Sequence, residues 1–168
     1  MEKRSSPWRR SSEMAPQTMA ILMEYAIGLL ARRDYSVAEL HDRLGRRTED
    51  GALIESVIDN LQQQGLQSDT RFAEVFVRSR ISRRHGPRRI LNELMLKGIE
   101  GASARAALQA AGTDWYALAC EALAARFSTP GNDLREKAKR QRFLAGRGFD
   151  GDQTRHALSC AWSPEMDN

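Results

Sequence analysis

The chain has 168 residues, 41% of them hydrophobic, with 26 Lys and Arg against 22 Asp and Glu for a net charge of +4 and a pI near 9.4. That is enough apolar content for a core, and the balance leans mildly toward polyanionic partners. No stretch approaches the roughly 20 apolar residues needed to cross a bilayer, which excludes a helical membrane span.

Basic residues Lys3, Arg4, Arg9 and Arg10 precede an apolar run from Met19 to Ala31, as in a signal peptide. Glu24 interrupts that run, no small-residue cleavage site follows, and Arg32-Arg33-Asp34 comes directly after it. The expectation is a helix of a cytoplasmic protein, preceded by a disordered basic arm over residues 1–16 rich in Ser and Pro.

Leu22, Met23, Ala26, Ile27 and Leu30 recur at helical spacing over Thr18 to Arg33. Ser36-Val37-Ala38-Glu39 reads as a capping box opening a second helix with Leu40 and Leu44. Asp50-Gly51 leads into a third, with Ile54, Val57, Ile58 and Leu61, closed by Gly65. The pattern then returns: Asp69 to Arg84, Pro87 to Lys97, Ser103 to Ala111, and again Asp114 to Phe127, Leu134 to Arg147, Asp152 to Ala161. Ser128-Thr129-Pro130-Gly131-Asn132 is the clearest break and a candidate hinge.

The period is 50 residues: Leu44, Leu94 and Leu144 fall in step, as do Arg47, Lys97 and Arg147, and Ile58, Leu108 and Leu158. No sustained period-two pattern suggests a sheet. The expected fold is all-α, three tandem three-helix repeats in an elongated array, straight or curved. The expected plan is the arm over 1–16, repeats over 17–66, 67–112 and 113–162, and a tail over 163–168.

Charge is segregated along the chain. Arg71 to Lys97 carries eight basic residues against Glu74 and Glu93, Arg135 to Arg147 six against Glu136, and residues 48–70 five acidic residues with no Lys or Arg. Two basic stretches separated from an acidic one suggest surfaces for different partners. The cluster Arg83-Arg84-His85-Gly86-Pro87-Arg88-Arg89 concentrates four guanidinium groups at a turn, where repulsion favours an incoming anion or acidic partner. Arg80 projects into the apolar face of Phe72, Ala73, Phe76 and Val77, so it should snorkel outward or meet a carboxylate such as Glu93. Arg140 takes the slot of Leu40 and Ile90, which suggests a looser third repeat or a helix turned outward.

Cys120 and Cys160, 40 residues apart, match no metal-site spacing and read as small core residues of a reducing compartment. His41, His85 and His156 stand in no catalytic spacing to Ser, Cys or paired carboxylates, and neither a phosphate-binding Gly loop nor a dinucleotide fingerprint occurs. The expectation is a binding protein rather than an enzyme, without cofactor or metal.

The run Ser68-Asp69-Thr70-Arg71-Phe72-Ala73-Glu74-Val75-Phe76-Val77-Arg78-Ser79-Arg80, followed by Gly86-Pro87-Arg88-Arg89-Ile90-Leu91-Asn92-Glu93-Leu94-Met95-Leu96-Lys97-Gly98-Ile99, closely resembles the signature of the bacterial RecX regulatory proteins. Tyr35 to Leu40, Lys137 to Arg140 and Arg147-Gly148-Phe149 resemble its flanking repeats, so the likeness covers roughly residues 20 to 160. Thr48-Glu49 departs from the Gly-apolar pair of the other repeats, and Thr129-Pro130-Gly131 interrupts the third.

The resemblance implies a protein that binds the RecA recombinase filament on DNA and inhibits its extension, ATPase, strand exchange and co-protease activities, with roles in DNA repair, homologous recombination and the SOS response. A monomer is the expected form, although the sequence does not itself decide whether the chain dimerises. The expected contact residues are Arg78, Arg83, Arg84, Arg88, Arg89 and Lys97, with Lys137, Lys139, Arg140 and Arg142 as a second patch. Phe72, Phe76, Leu94, Gly98 and Ile99 are assigned to the fold. The alternative is a nonspecific or helix-turn-helix-like DNA-binding protein acting independently of RecA. Weak, nonspecific, salt-dependent DNA affinity is expected in either case, because the Arg-rich helices offer only Asn92 and Gln141 for base reading. A purely structural scaffold would leave the Arg83 to Arg89 cluster unexplained.

Overall fold

Apolar residues at helical spacing, punctuated by Ser, Asp and Gly, produce nine helices and no strand among the described residues of a computed structural model. Those residues are 8–163, with side chains described from residue 18. The helices are α1 (Trp8–Leu30), α2 (Val37–Gly45), α3 (Gly51–Gln63), α4 (Asp69–Ser82), α5 (Pro87–Leu96), α6 (Gly101–Ala110), α7 (Trp115–Arg126), α8 (Leu134–Arg147) and α9 (Gly151–Cys160). They form three consecutive three-helix modules, each numbered in step with the sequence period.

Helix α1 begins at Trp8, inside the stretch 1–16 expected to be disordered. Extending a helix already nucleated downstream adds a hydrogen bond for each residue ordered, so polar residues can continue it. Residues 1–7 of the expected arm, and 164–168 of the expected tail, lie outside the described residues.

Most of the remaining starts are capped by side chains. Ser36 Oγ accepts the Glu39 amide at 3.1 Å, and Arg33 holds the Glu39 carboxylate at 2.8 Å. Asp50, Asp114, Asp133 and Asp150 cap α3, α7, α8 and α9 in the same way. A loss of one such cap typically costs about 1 kcal/mol.

By packing, the chain divides between Phe72 and Ala73. In the first unit α1 and α2 pack on α3, burying Leu22, Leu40, Leu44, Val57, Ile58 and Leu61. Each such side chain contributes about 1.5–3 kcal/mol when fully buried. The start of α4 is tied to the α1–α2 loop: Asp69 accepts the Val37 amide at 2.8 Å, Gln67 donates to the Tyr35 carbonyl at 3.2 Å, and Arg71 pairs with Asp34 at 2.9 Å.

In the second unit, Ile90, Leu94, Ile99, Ala104 and Ala107 are buried in the middle module. The third module packs α7 and α8 on α9 around Leu118, Leu123, Leu144, Phe149 and Ala157, with Ile81 of α4 lying against this cluster. Leu44, Leu94 and Leu144, one period apart, are each fully buried.

Arg140 departs from its expectation. It is 5% exposed rather than turned outward. Its guanidinium donates to the Thr129 carbonyl at 2.7 and 3.0 Å and to the Glu136 carbonyl at 3.0 Å, and lies over the Phe127 ring at 4.6 Å. Backbone carbonyls and an aromatic face thus satisfy a cation in an apolar slot, and the same bonds pin the loop expected to be a hinge. The tight approach of Gly131, with φ 88°, to the Arg140 side chain completes that anchor.

Arg140→Ala should therefore lower stability by about 2–4 kcal/mol in urea unfolding, by leaving a void and stranding the Thr129 carbonyl. Arg140→Leu, which restores the apolar volume found at Leu40 and Ile90, should cost clearly less.

Candidate functional site

Helix α4 ends in a Schellman turn: the Arg84 amide donates to the Ile81 carbonyl at 2.8 Å and the His85 amide to the Arg80 carbonyl at 3.0 Å. The left-handed residue this turn requires is Arg84, with φ 57°, where glycine is usual. The helix therefore stops at Ser82, two residues short of the expected end, and presents Arg83 and Arg84 from the turn.

Gly86 follows, and α5 starts at Pro87 with no side-chain cap. The end of α8 supplies the missing partners: the Gly86 amide donates to the Arg147 carbonyl at 2.7 Å and the Arg88 amide to the Gly148 carbonyl at 3.1 Å. The backbones approach so closely that a Cβ on Gly86 would lie 2.4 Å from the Gly148 carbonyl carbon, and one on Gly148 would lie 2.3 Å from Arg89 Cβ. Arg147 adds a bond to the Arg83 carbonyl at 2.7 Å, and Arg89 one to the Gly146 carbonyl at 3.3 Å. These contacts join the second and third modules into one unit.

The arginines of the cluster are consequently unequal. Glu93 takes Arg80 on one carboxylate oxygen and Arg89 on the other, at 2.5 and 2.8 Å, which is the pairing expected for Arg80. Burial works against the charged carboxylate, but the hydrogen bonds and charges of Arg80 and Arg89 outweigh it and hold Glu93 below the usual range. Arg84 stands 3.9 Å from Glu121. Arg83 and Arg88 are exposed and have no ion pair with a described residue. His85 sits at the same turn with its Nδ1 buried and unpartnered, and burial together with the charge of Arg89 pushes its pKa down.

Arg88, Arg89, Asn92, Leu96, Gly146 and Phe149 line a groove between α5 and the end of α8. Leu96 is 86% exposed on its rim, so a basic surface carries an apolar edge. Sequence reasoning missed Leu96 and Arg147. Only the docking of the two turns gives either a role.

Of the other expected residues, Arg78 is exposed and points away from the buried face of α4, while Lys97 is partly buried at the end of α5. On α8, Lys137, Lys139 and Arg142 are exposed, whereas Arg140 is withdrawn into the core and leaves the basic patch. At 100° per residue, Lys139 and Arg142 share a face with Arg135, a residue absent from the expected set, opposite Leu144. Lys137 falls on the other side. Phe72, Leu94 and Ile99 are buried as expected, and Gly98 takes φ 80° at the end of α5.

Tandem three-helix modules, with a basic turn between α4 and α5 and a basic face on α8, define a modular all-α protein, and no described helix is long and apolar enough to cross a membrane. Models of the RecX first, second and third three-helix domains match residues 23–61, 68–108 and 113–158. Regulatory protein RecX of Chromohalobacter salexigens is 56% identical over 137 residues, covering 82% of this chain and 90% of its own. That of Halorhodospira halophila is 41% identical, with 81% and 85% covered. The crystal structure of RecX from Lactobacillus salivarius superposes with a TM-score of 0.71 at 25% identity, over 86% of this chain and 96% of its own. The chain belongs to the RecX family of regulatory proteins.

Arg84→Gly should raise stability by about 0.5–1 kcal/mol, because relief of the left-handed strain exceeds the added chain entropy of glycine. The lost Arg84–Glu121 contact, long and exposed, subtracts little. Urea unfolding of the variant checks the sign.

With its folded pKa below 6.5, His85 favours folding while neutral. Its contribution is complete above the unfolded value and declines as pH falls below 6.5 toward the folded one, where the unfolded chain takes the proton first. His85→Asn should flatten that part of the curve of melting temperature against pH.

Proposed function

We propose that this protein restrains a RecA-type recombinase filament on DNA, inhibiting its extension, ATPase, strand exchange and co-protease activities. The observation that carries the reading is the turn between α4 and α5, where Arg83 and Arg88 remain exposed and without an ion pair to a described residue although Glu93 lies close enough to pair with two neighbouring arginines. Such a turn suits acidic filament surface or DNA phosphates, and the apolar Leu96 rim favours a protein component in the contact. A second basic face on α8, from Arg135, Lys139 and Arg142, would let one molecule engage more than one point of a repeating polymer, where weak contacts multiply.

Membership of the RecX family supports a regulatory role. Arg78, Lys97 and Lys137 extend the proposed basic surface. Arg89 belongs to it only in part, since its head group is committed to Glu93 and the Gly146 carbonyl. Arg140 is left out of the proposal. The protein is proposed to act as a cytoplasmic monomer without catalytic activity of its own.

The test is ATP hydrolysis by recombinase on single-stranded DNA during titration with wild-type protein and with Arg83→Glu/Arg88→Glu, which touches neither the Glu93 pairs nor the capping carbonyls. Inhibition well below one molecule per recombinase, lost in the variant, is the expected result. Inhibition only once the DNA itself is saturated would overturn the reading in favour of a DNA binder acting alone. On free DNA, Arg88→Ala should reduce the slope of log affinity against log salt by about 1 if that side chain meets a phosphate.

A further inference from the structure

Cys120 and Cys160 are 40 residues apart in the chain and match no metal-site spacing. The packing of α7 on α9 changes that, bringing their sulfurs to 3.2 Å. His156 stands one helical turn before Cys160, on the same face of α9, and one ligand atom from each of the three residues lies within 4.8 Å of the others. The His156 ring is steadied edge-on by Tyr116 of α7, with centroids 5.3 Å apart. Two sulfurs and an imidazole converge where the sequence suggested two inert core thiols.

We propose that Cys120, His156 and Cys160 form a site for one thiophilic divalent cation, of which zinc is the type, with water completing the tetrahedron. Zinc–sulfur and zinc–nitrogen bonds place sulfurs roughly 3.8 Å apart and sulfur roughly 3.5 Å from nitrogen, so the side chains need only small rotations from their present separations. The ligand chemistry suits the ion: two thiolates neutralise a dication, and an imidazole one turn away adds a third bond without further charge. The neutral assembly also resolves the cost of thiolates in this setting. Burial and the neighbouring Cys160 push the Cys120 thiol up to about 12, and a bound cation would supply the positive charge that stabilises its thiolate.

The site is layered from inside to outside. Cys120 is buried, Cys160 partly so, and His156 is exposed, which leaves a path for the ion and for water. The Cys160 thiol donates to the His156 carbonyl at 3.0 Å, a local bond that metal binding would replace. Occupancy would clamp α7 to α9 and stiffen the third module against opening. A disulfide between the same sulfurs would use neither His156 nor its support from Tyr116.

The test uses the full chain, reduced with a phosphine and titrated anaerobically with cobalt(II) as the optical probe. One cobalt per chain, with sulfur-to-metal charge transfer and the intense visible bands of a tetrahedral site, displaced by zinc and accompanied by a higher melting temperature, is expected. His156→Ala, at an exposed position, and Cys160→Ala should each weaken binding by at least about tenfold. Cys160→Ala should also halve the charge-transfer band, while circular dichroism shows both variants folded. A reduced protein with no charge-transfer band would overturn the site and leave the pair as a dithiol–disulfide couple. A band indifferent to His156→Ala would overturn it as well.

Discussion

Helix α5 begins without a side chain to receive its first amide hydrogens, and the carbonyls of Arg147 and Gly148 take that place. A helix start buried without partners would be costly, so the end of α8 must stay where it is for α5 to begin where it does. Glycine at both 86 and 148 is what lets the two backbones come within bonding distance. This contact decides that the second and third modules form one packed unit, and it sets the direction in which the turn presents its arginines. The exposed cations are thus held by backbone geometry that does not depend on their own charges.

Arginine does four different jobs here. Arg80 and Arg89 share Glu93 and lock α4 to α5, Arg147 braces the turn through the Arg83 carbonyl, and Arg140 fills an apolar slot by bonding carbonyls. Arg83 and Arg88 stay exposed, without an ion pair to a described residue. Repulsion within the cluster is therefore relieved in part internally, and the share left for an incoming anion is smaller and more localised than residue counting suggests. Desolvation explains the division: a guanidinium drawn inward is tolerated only where a carboxylate or several carbonyls meet it, and the remainder stay in water.

The cysteines show the same separation between chain and fold. Their sequence surroundings are apolar and carry no ligand spacing, so a core role is the natural expectation. What brings the sulfurs together with His156 is the packing of α7 on α9, a relation between residues 40 positions apart that no local pattern encodes.

Helix positions, their apolar faces and the 50-residue period were legible from the sequence, because helical spacing and caps are local. Leu44, Leu94 and Leu144 are buried in step, and the expected Arg80–Glu93 pair forms between neighbouring helices. The likeness to the RecX signature was also legible, since it lies in contiguous residues from Ser68 to Ile99. The sequence by itself thus determined the helices, the module and the family. Which arginines are spent on the fold, that Arg140 turns inward, that Gly86 meets Gly148 and that two thiols meet an imidazole were decided only by tertiary structure. The physical reason is that each depends on carbonyls, carboxylates or sulfurs delivered from a distant helix, and a side chain's charge in the sequence does not say whether such a partner will arrive.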